Sequence, residues 1–503
     1  MQNLYDYLGN ILNIAADGTF VDVTSKGIDN TGVTDVADAI NALIANGGMF
    51  FFPKGTYLLG KQLVVNSNTT IMGEGSETIF RAAASMDAVY NTICNRNASN
   101  INARLCRNTS VDGHPGTSEY ITEYDHDIVL MNFTVDGNWQ NRDLVNWNKY
   151  YNEKGPQIAR EPGTNLEIQS AYNVVIDHIT AINGVQHNIN IRAGAYGYGM
   201  GVNYDCVFPC HEVVISNCFA SNERYDDCIT THDSYNILID SCVASVENNA
   251  NGTYSKAVSN GFEIDDGSRF VEVRNCRSYY TLAGFQAKGH ENTPPAHDVI
   301  FENCIGFYNQ HGFSVACGPY TEYESYKTLE GRCHNIRIIN CSIIKPYAFS
   351  NAPSWLGSLL YMDIKAACDV YVENLIVDNS APPSSVQNNY GVPTRQFFYM
   401  RDRAYNVWFK NVRFTTEIAT SNSDAGLFNV LGTCSNLFIF NVFLNGVSGF
   451  PVVNFAGNSS DYLLVIDGIY TPKVAETDTI LKIGNGTDTV QVLGERRNMI
   501  YVA

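Results

Sequence analysis

The densest group of ionisable side chains in the 503-residue sequence lies between positions 226 and 290. Glu263 and Asp265 are two residues apart, so on a β-strand they share one face, with Cβ atoms roughly 6.5–7 Å apart. Carboxylates ~5 to ~9.5 Å apart are the arrangement that glycoside hydrolysis requires, one protonating the leaving oxygen while the other activates water or attacks the sugar. We therefore predict that Glu263, Asp265, Asp227 and Asp226 are catalytic, without assigning acid and base.

Three alternative reactions or roles use the same side chains. Asp227, Glu263 and Asp265 could bind Ca²⁺ through oxygen ligands, with Arg192 or Lys288 as the base of a β-eliminating lyase. Lys288 and His290 beside the acids could instead act on phosphodiesters of a teichoic-acid-like polymer, or the face could bind sugar without reacting. The hydrolase hypothesis needs no metal or other cofactor.

Residues on the same face are predicted to bind the substrate. They are Arg192, His232, Lys288, His290 and Glu167, joined by Trp139 from an insert at 137–163 that also carries Trp147. A second insert at 318–331 carries three tyrosines, and inserts of this length in a repeat protein are usually functional. Aromatic side chains there could stack on sugar rings or pack against a neighbouring subunit. Lone histidines at 187, 297 and 311 are predicted to be turn or surface residues.

A short repeat organises the whole chain, with alternating apolar positions followed by Asn and then Cys or an aliphatic residue. Its copies are DIVLMNF (127), NVVIDHI (173), EVVISNC (212), NILIDSC (236), FVEVRNC (270), DVIFENC (298), NIRIINC (335), DVYVENL (369), NVWFKNV (406) and NLFIFNV (436). Regular recurrence with loops of variable length is typical of stacked coils in a solenoid. Each copy should be a strand whose apolar residues face inward.

Two ladders follow from stacking these copies. The last position holds Cys218, Cys242, Cys276, Cys304 and Cys341, which we interpret as stacked small apolar side chains rather than disulfides. The preceding asparagines should form a turn ladder, because Asn tolerates left-handed backbone and its amide can bond along the stack. A second strand precedes each copy and carries the candidate site on its outward face. One outward column is predicted to include Ile229 and Glu263, and the neighbouring column to include Thr231 and Asp265.

Composition limits the possible functions. The formal charge of −19, from 32 basic and 51 acidic residues, argues against nucleic-acid binding. No apolar run approaches the ~18 residues of a membrane span, and the N-terminus lacks the pattern of a secretory signal.

We expect a leader at 1–20, an N-terminal cap and first coil at 21–75, a β-helix at 76–452, and terminal coils or a C-terminal cap at 453–503. Thr34 is predicted to begin a capping helix that contains Val36, Ala39, Ile40, Leu43 and Ile44.

Residues 21–75, with an Asp-rich turn, this helix and the FFPKGTY strand, resemble the N-terminal signature of the pectate-lyase-like superfamily. The resemblance implies an all-β fold, a right-handed parallel β-helix with a short N-terminal capping helix. GFEIDDGSRFVEVRNC and GFQAKGHENTPPAHDVIFENC are further similar to central coils of phage tailspikes and neck appendages that depolymerise bacterial surface polymers. That likeness implies a polysaccharide substrate, a homotrimer, and a location in the virion or outside the cell after release. Asp226–Asp227 and Gly289–His290 also resemble elements of polygalacturonase-type hydrolases, whose Asn-x-Asp and Arg-x-Lys elements are not evident in register.

Overall fold

The computed structural model describes most of the chain from residue 20 onward. The described residues are 20–99, 121–148, 163–193, 208–247, 260–290, 294–317, 331–346, 360–378, 398–415, 418–419, 426–432, 434–445, 447–448, 452–457, 464–470, 481–483 and 501–502. Among them, no helix is long and apolar enough to cross a membrane.

Two long sheets of parallel strands form the molecule. The first, here called the kernel sheet, contains Val21–Asp22, Thr31–Asp35, Gly48–Phe52, Gly55–Leu59, Thr69–Gly73, Thr78–Ala82, Asp125–Asp136, Ala171–Ile182, His211–Ser216, Phe219–Ser221, Tyr235–Asp240, Val243–Ser245, Arg269–Arg274, Arg277–Tyr279, His297–Glu302, Ile305–Phe307, Cys333–Ile339, Ser342–Ile344, Ala367–Glu373, Ile376–Asp378, Tyr405–Phe414, Ser435–Phe443 and Leu464–Tyr470.

The second sheet, here called the site sheet, lies opposite in each coil. Its strands are Leu63–Val65, Ile93–Asn95, Leu166–Gln169, Ile189–Arg192, Ile229–His232, Phe262–Asp265, Ala283–Gly289, His311–Cys317, Leu360–Lys365, Phe398–Arg401, Phe428–Gly432, Val453–Gly457, Leu481–Ile483 and Tyr501–Val502. Smaller elements are the helices Ala37–Ile44 and Arg96–Ser99, the 3₁₀ turns Thr24–Lys26 and Trp139–Asn141, and the strand pair Ile418–Ala419 and Val447–Ser448.

The structure confirms the right-handed parallel β-helix predicted from the repeat. All ten copies fall in the kernel sheet in one register, so that Val213 pairs with Ile237, Ile237 with Val271, and Val271 with Val299. The inward side chains of both sheets form one continuous buried core. Strands of both sheets continue beyond residue 453, and the predicted domain boundaries stay predictions.

An asparagine ladder turns the chain at the end of eight of the ten copies, as predicted, and His178 and Ser241 take the same left-handed conformation in the other two. The asparagines at 132, 217, 275, 303, 340, 374, 411 and 441 all have φ between 53° and 58°. Asn374 donates its side-chain amide to Asn340 at 2.8 Å, and Asn411 donates to Asn374 at 2.9 Å. A second left-handed corner, which the sequence analysis missed, occupies the first position of each copy; there Asn406 donates to Asp369 at 3.0 Å.

The cysteine ladder is also confirmed. Cys218, Cys242, Cys276, Cys304 and Cys341 are buried and unbridged, as are the other cysteines of the described residues. All five side chains lie in the hydrophobic core formed by the inward residues of both sheets. These thiols therefore act as small apolar rungs.

The N-terminal helix forms, but its start differs from the prediction. It covers Ala37–Ile44, and the side chain of Asp35, not Thr34, accepts a hydrogen bond from the Ala37 amide at 3.0 Å. Ala37, Ile40 and Ile44 face the core, whereas Ala39 is exposed. Thr34 instead lies in the strand Thr31–Asp35.

Replacing one rung of the asparagine ladder tests its two contributions. Asn374→Ala should destabilise the protein more than Asn374→Gly, because a left-handed residue with a Cβ costs about 1–2 kcal/mol that glycine avoids. Both variants lose the amide bonds to Asn340 and Asn411. Thermal unfolding at one scan rate measures the difference, and equal midpoints for the two variants would contradict this explanation.

Candidate active site

The candidate site lies on five neighbouring strands of the site sheet, from Leu166–Gln169 to Ala283–Gly289. One outward column runs through Glu167, Asn190, Thr230, Glu263 and Gln286, and the other through Gln169, Arg192, His232 and Asp265. Lys288 lies on the same face, two residues beyond Gln286. The structure thus brings together side chains that are as many as 121 positions apart between Glu167 and Lys288.

The predicted columns are wrong by one residue in the strand Ile229–His232. Ile229 pairs with Phe262 and faces the core, and Thr231 also points inward, where its Oγ1 lies 3.1 Å from Ser268 Oγ. Thr230 and His232 occupy the outward positions instead. Two successive threonines give no apolar–polar alternation, which is why the sequence pattern failed at this strand.

Glu263 and Asp265 do share one face, as predicted, and the Lys288 ammonium bridges them. Its Nζ lies 2.6 Å from Glu263 Oε1 and 3.1 Å from Asp265 Oδ2. Both carboxylates are only 1 % exposed. Burial alone would raise their pKa values, but Lys288 lowers the pKa of both carboxyl groups below the usual range. Burial likewise opposes protonation of Lys288, yet Asp265 and Glu263 raise its pKa well above the ordinary lysine value.

Asp227 behaves in the opposite way. It is fully buried and precedes the strand Ile229–His232, so that its carboxyl group meets Glu263 from the next coil. Burial and the negative charges of Glu263 and Asp226 raise the pKa of Asp227 well above its usual range. Asp227 is therefore held as a neutral carboxylic acid that hydrogen-bonds to the Glu263 carboxylate. The backbone N–H of Asn260 donates to Asp227 Oδ1 at 2.9 Å and fixes the orientation of the Asp227 carboxyl group.

Two histidines complete the surroundings of Asp265. His290 Nε2 lies 3.3 Å and His232 Nε2 lies 3.7 Å from Asp265 Oδ2. Burial would lower the pKa of His290, but Asp266 and Asp265 raise it to about 9, so the ring is an imidazolium at neutral pH. The Asp266 side chain accepts a hydrogen bond from the His290 amide at 3.2 Å, which assigns this turn residue a supporting role.

Glu167 and Arg192 come from the first two strands of the candidate site. They were predicted to bind substrate, but both are buried and form an ion pair with each other. Asn190 donates a further hydrogen bond to Glu167 at 3.2 Å. Glu263 and Asp265 are equally inaccessible, so burial alone does not decide the matter and the role of Glu167 and Arg192 in substrate binding stays a prediction.

His187 was predicted to be a turn or surface residue, and the structure places it in the buried surroundings of Asp227. It is 1 % exposed; Asp227 donates its amide to His187 Nδ1 at 3.1 Å, and Asp226 Oδ2 lies 3.7 Å from Nε2. His187 falls just before its strand, outside the alternating pattern, so only an alignment of the corners could have found it. The prediction is wrong for His311, which is buried in the strand His311–Cys317, whereas His297 is a partly exposed strand residue that stacks on His334.

The two tryptophans of the insert at 137–163 pack together with Tyr225 and Arg224. Trp147 is buried and stacks on Tyr225 at 4.0 Å between ring centroids, and the Arg224 guanidinium lies 5.1 Å from both the Tyr225 and the Trp139 rings. Trp147 is therefore not available to a sugar, whereas Trp139 is half-buried, donates its ring N–H to the Asn222 carbonyl at 3.0 Å, and keeps its role in substrate binding as a prediction. Tyr150, Tyr151 and the tyrosines of 318–331 lie outside the described residues.

Two clusters at the site have ligand types that suit a metal ion, namely His187 with Asp226 and Asp227, and His232 with Asp265 and Asp266. In the first, His187 Nδ1 accepts the Asp227 amide, so Nε2 carries the proton of the neutral ring and cannot be a ligand. In the second, Lys288 and His290 already supply positive charge to Asp265. A third cluster of His297, Asp298 and His334 lies on the kernel sheet.

Comparison with known proteins places this arrangement in a family. The family described as rhamnogalacturonase A/epimerase, pectate lyase-like matches residues 20–305, which is more than half of the chain. The chain belongs to this family. The matched residues include all of the acidic cluster described above.

The chain is also similar to phage proteins. It is 28 % identical over 348 residues to the pre-neck appendage protein of Bacillus phage B103, covering 68 % of this chain and 36 % of that protein. Against the preneck appendage protein of Bacillus phage PZA it is 30 % identical over 281 residues, covering 56 % and 28 %. The chain thus spans about a third of the length of these relatives.

Solved structures show the same fold. The N-terminal fragment of bacteriophage phi29 gene product 12 superposes with a TM-score of 0.69 at 22 % identity, covering 96 % of this chain and 74 % of that one. The tailspike protein of Pseudomonas phage LKA1 gives a TM-score of 0.51 at 11 % identity, covering 94 % and 84 %. Both likenesses cover more than nine-tenths of this chain and show the fold.

The charge of His290 predicts how stability depends on pH. The pKa of His290 rises from about 6.5 to about 9 on folding. Its contribution to the free energy of unfolding is therefore complete below pH 6.5 and is lost as the pH rises through 9. His290→Gln should therefore flatten the alkaline decline in the unfolding midpoint.

His297→Gln is the matched control. Burial lowers the pKa of His297, so its contribution is present above pH 6.5 and is lost on acidification. That variant should change only the acidic side of the profile. An unchanged alkaline limb in His290→Gln would show that Asp265 and Asp266 do not hold the imidazolium.

Proposed function

We propose that the chain depolymerises a bacterial cell-surface polysaccharide by hydrolysing its glycosidic bonds, as part of a phage appendage. The observation that carries this proposal is one buried cluster that combines a carboxylic acid held neutral, Asp227, with two ionised carboxylates, Glu263 and Asp265, which Lys288 bridges. Hydrolysis of a glycoside needs a proton donor and a nearby anion at the same bond. The similarity to pre-neck appendage proteins of Bacillus phages supports the location in a virion.

Each carboxyl group has a distinct role in this proposal. Asp227 gives its proton to the leaving oxygen, because its raised pKa keeps that proton available at neutral pH. Glu263 and Asp265 remain anionic and stabilise the positive charge that develops on the sugar ring. Lys288 holds both carboxylates at hydrogen-bonding distance and so fixes their positions. Asp226, which is half-buried at the edge of the cluster, contributes negative charge that keeps Asp227 protonated.

Hydrolysis is favoured over β-elimination by the state of the two candidate lyase bases. Lys288 has a raised pKa and is engaged by two carboxylates, so it cannot abstract a proton at neutral pH. Arg192 is buried in an ion pair with Glu167. We also propose that no Ca²⁺ is needed, since Lys288 and His290 neutralise the carboxylates that would bind it.

A phosphodiester-linked surface polymer is the second candidate substrate. The observation that favours it is the pair of cations at Asp265, the Lys288 ammonium and the His290 imidazolium. Both could contact a phosphate group. Products distinguish the two reactions, because glycoside hydrolysis creates reducing sugar ends and phosphodiester hydrolysis creates phosphomonoesters.

Assembly into a homotrimer is proposed together with this function. An aromatic column of Tyr371, Trp408 and Phe438 stacks along the outer face of the kernel sheet, with centroid separations of 4.4 and 5.0 Å. Tyr371 is exposed and the other two are half-buried, and exposed aromatic surface of this kind suits a protein interface.

Light scattering tests the assembly. We expect the mass of three 55.7-kDa chains and partial dissociation of Trp408→Ser, because loss of the largest ring removes apolar contact area. Lys410→Ser, an exposed change on the same strand, is the control. A monomer, or equal behaviour of the two variants, would contradict the proposed interface.

The catalytic assignment is tested on glycopolymers purified from Bacillus cell walls. Asp227→Asn and Glu263→Gln should each lower the release of new ends by about 10²–10⁴-fold, the usual contribution of a proton donor or a charge-stabilising group. Asp227→Asn should leave the unfolding midpoint unchanged or higher, since Asn resembles the neutral acid. Glu263→Gln should lower it, because Lys288 loses a counter-charge.

Asp467→Asn, an exposed change on the kernel sheet, is the activity control. Full activity of either site variant would refute the acid and anion roles. Cleavage that stops in chelator and yields unsaturated ends would refute hydrolysis in favour of a lyase.

A further inference from the structure

The proposed hydrolysis leaves one proton without an acceptor. When water attacks the sugar, it must release a proton, but Glu263 and Asp265 are weak proton acceptors because Lys288 lowers their pKa values. Lys288 and His290 are already protonated at neutral pH. The buried polar side chains around Asp265 point to the proton acceptor.

A chain of buried polar contacts leads from Arg192 to Asp265 across four strands. Arg192 pairs with Glu167, and Asn190 Nδ2 donates to Glu167 Oε2 at 3.2 Å. The Glu167 carboxylate beside a guanidinium only accepts hydrogen bonds, so the amide nitrogen of Asn190 must face it. The carbonyl oxygen of Asn190 must therefore point the other way.

That orientation fixes the tautomer of the next residue. Asn190 Oδ1 lies 3.0 Å from His232 Nδ1. A carbonyl oxygen accepts hydrogen bonds, so Nδ1 must carry a proton, and the second ring nitrogen of neutral His232 has a lone pair. This second nitrogen, Nε2, is directed at Asp265 Oδ2 at 3.7 Å.

The other histidines of the site cannot take this role. His187 Nδ1 accepts the Asp227 amide, which places the proton of the neutral ring on Nε2, on the side of Asp226. His290 is an imidazolium held by Asp265 and Asp266. Among the described residues of the site, His232 Nε2 is thus the imidazole nitrogen that a fixed tautomer leaves basic.

We propose that Glu167 and Asn190 are positioning residues that hold His232 as the Nδ1–H tautomer, and that His232 Nε2 accepts the proton of the attacking water. This inference rests on the proposed hydrolysis. As the glycosidic C–O bond breaks, its oxygen takes the proton of Asp227, and the water oxygen bonds to the sugar carbon. One of the two water protons stays on the new hydroxyl group, and the other passes to His232 Nε2. Transfer of that proton from His232 to the Asp227 carboxylate restores the starting state of the site.

The groups that face His232 are charged on both sides. Asp265 lies on the next strand, with Lys288 and His290 beyond it, and the His187 ring centroid is 5.9 Å away. Glu167 and Arg192 lie on the preceding strands. Every variant below leaves these charges in place.

Nitrogen NMR of ¹⁵N-histidine-labelled protein tests the tautomer without any substrate. The chain has ten histidines, and His232→Gln identifies the signals of residue 232. We expect the neutral ring to carry its proton on Nδ1 and none on Nε2. In Asn190→Ala, both neutral tautomers should be populated. Asn429→Ala, which removes another buried asparagine of the same face, should leave the His232 signals unchanged. A neutral His232 protonated on Nε2, or an unchanged spectrum in Asn190→Ala, would overturn the inference.

Kinetics on the cell-wall glycopolymers test the proton transfer. Asn190→Ala should lower kcat about 10–100-fold, as expected for loss of a supporting hydrogen bond, with KM nearly unchanged and an altered pH profile. The same kcat and pH profile as wild type would overturn the role of His232. Absence of cleavage by the wild type would refute the proposed function and with it the proton transfer, while the spectrum still decides the tautomer.

Discussion

The register between successive coils is the constraint on which the rest of the structure depends. Parallel hydrogen bonding places each residue directly beside its counterpart one coil away, at a spacing of roughly 4.8 Å. The same registration stacks Phe262, Phe285 and Phe313 inside the helix, with centroids 5.1 Å apart, and aligns Thr230, Glu263 and Gln286 outside it. Left-handed asparagines at the corners keep this registration through loops of very different length.

Such a scaffold can hold charges together that would otherwise repel. Asp227, Glu263 and Asp265 come from two coils and are buried side by side, which is tolerated because one carboxyl group stays protonated and Lys288 neutralises the other two. Buried charges are retained in proteins when they are paired and hydrogen-bonded. The distribution of protons among these groups, more than their number, gives the site an acid and an anion at one place.

Much of the fold was predictable because it follows from local periodicity. Alternating apolar positions, the repeated Asn and the phased Cys each have a physical cause that acts within a single coil, so the ten repeats could be read without the structure. Prediction failed at positions where the sequence does not alternate between apolar and polar residues. Thr230 and Thr231 concealed a shift of one residue, and His187 lies at a corner where the alternation has ended. Trp147 appeared to belong to a surface loop because its partner Tyr225 is distant in sequence. The protonation of Asp227 depends on neighbours from another coil, which no spacing along the chain reveals.

The most direct test of hydrolysis by the cluster around Asp227 and Glu263 is to cleave purified cell-wall glycopolymer in oxygen-18 water. Mass spectrometry of the products then shows whether they contain the isotope. Water enters the new end in hydrolysis, whereas β-elimination breaks the bond without it. We predict one oxygen-18 atom per cleaved bond, located on a new reducing sugar end, and about 10²–10⁴-fold fewer labelled ends from Asp227→Asn in the same time. Unsaturated products without the label, or no products at all from the wild-type chain, would contradict the account.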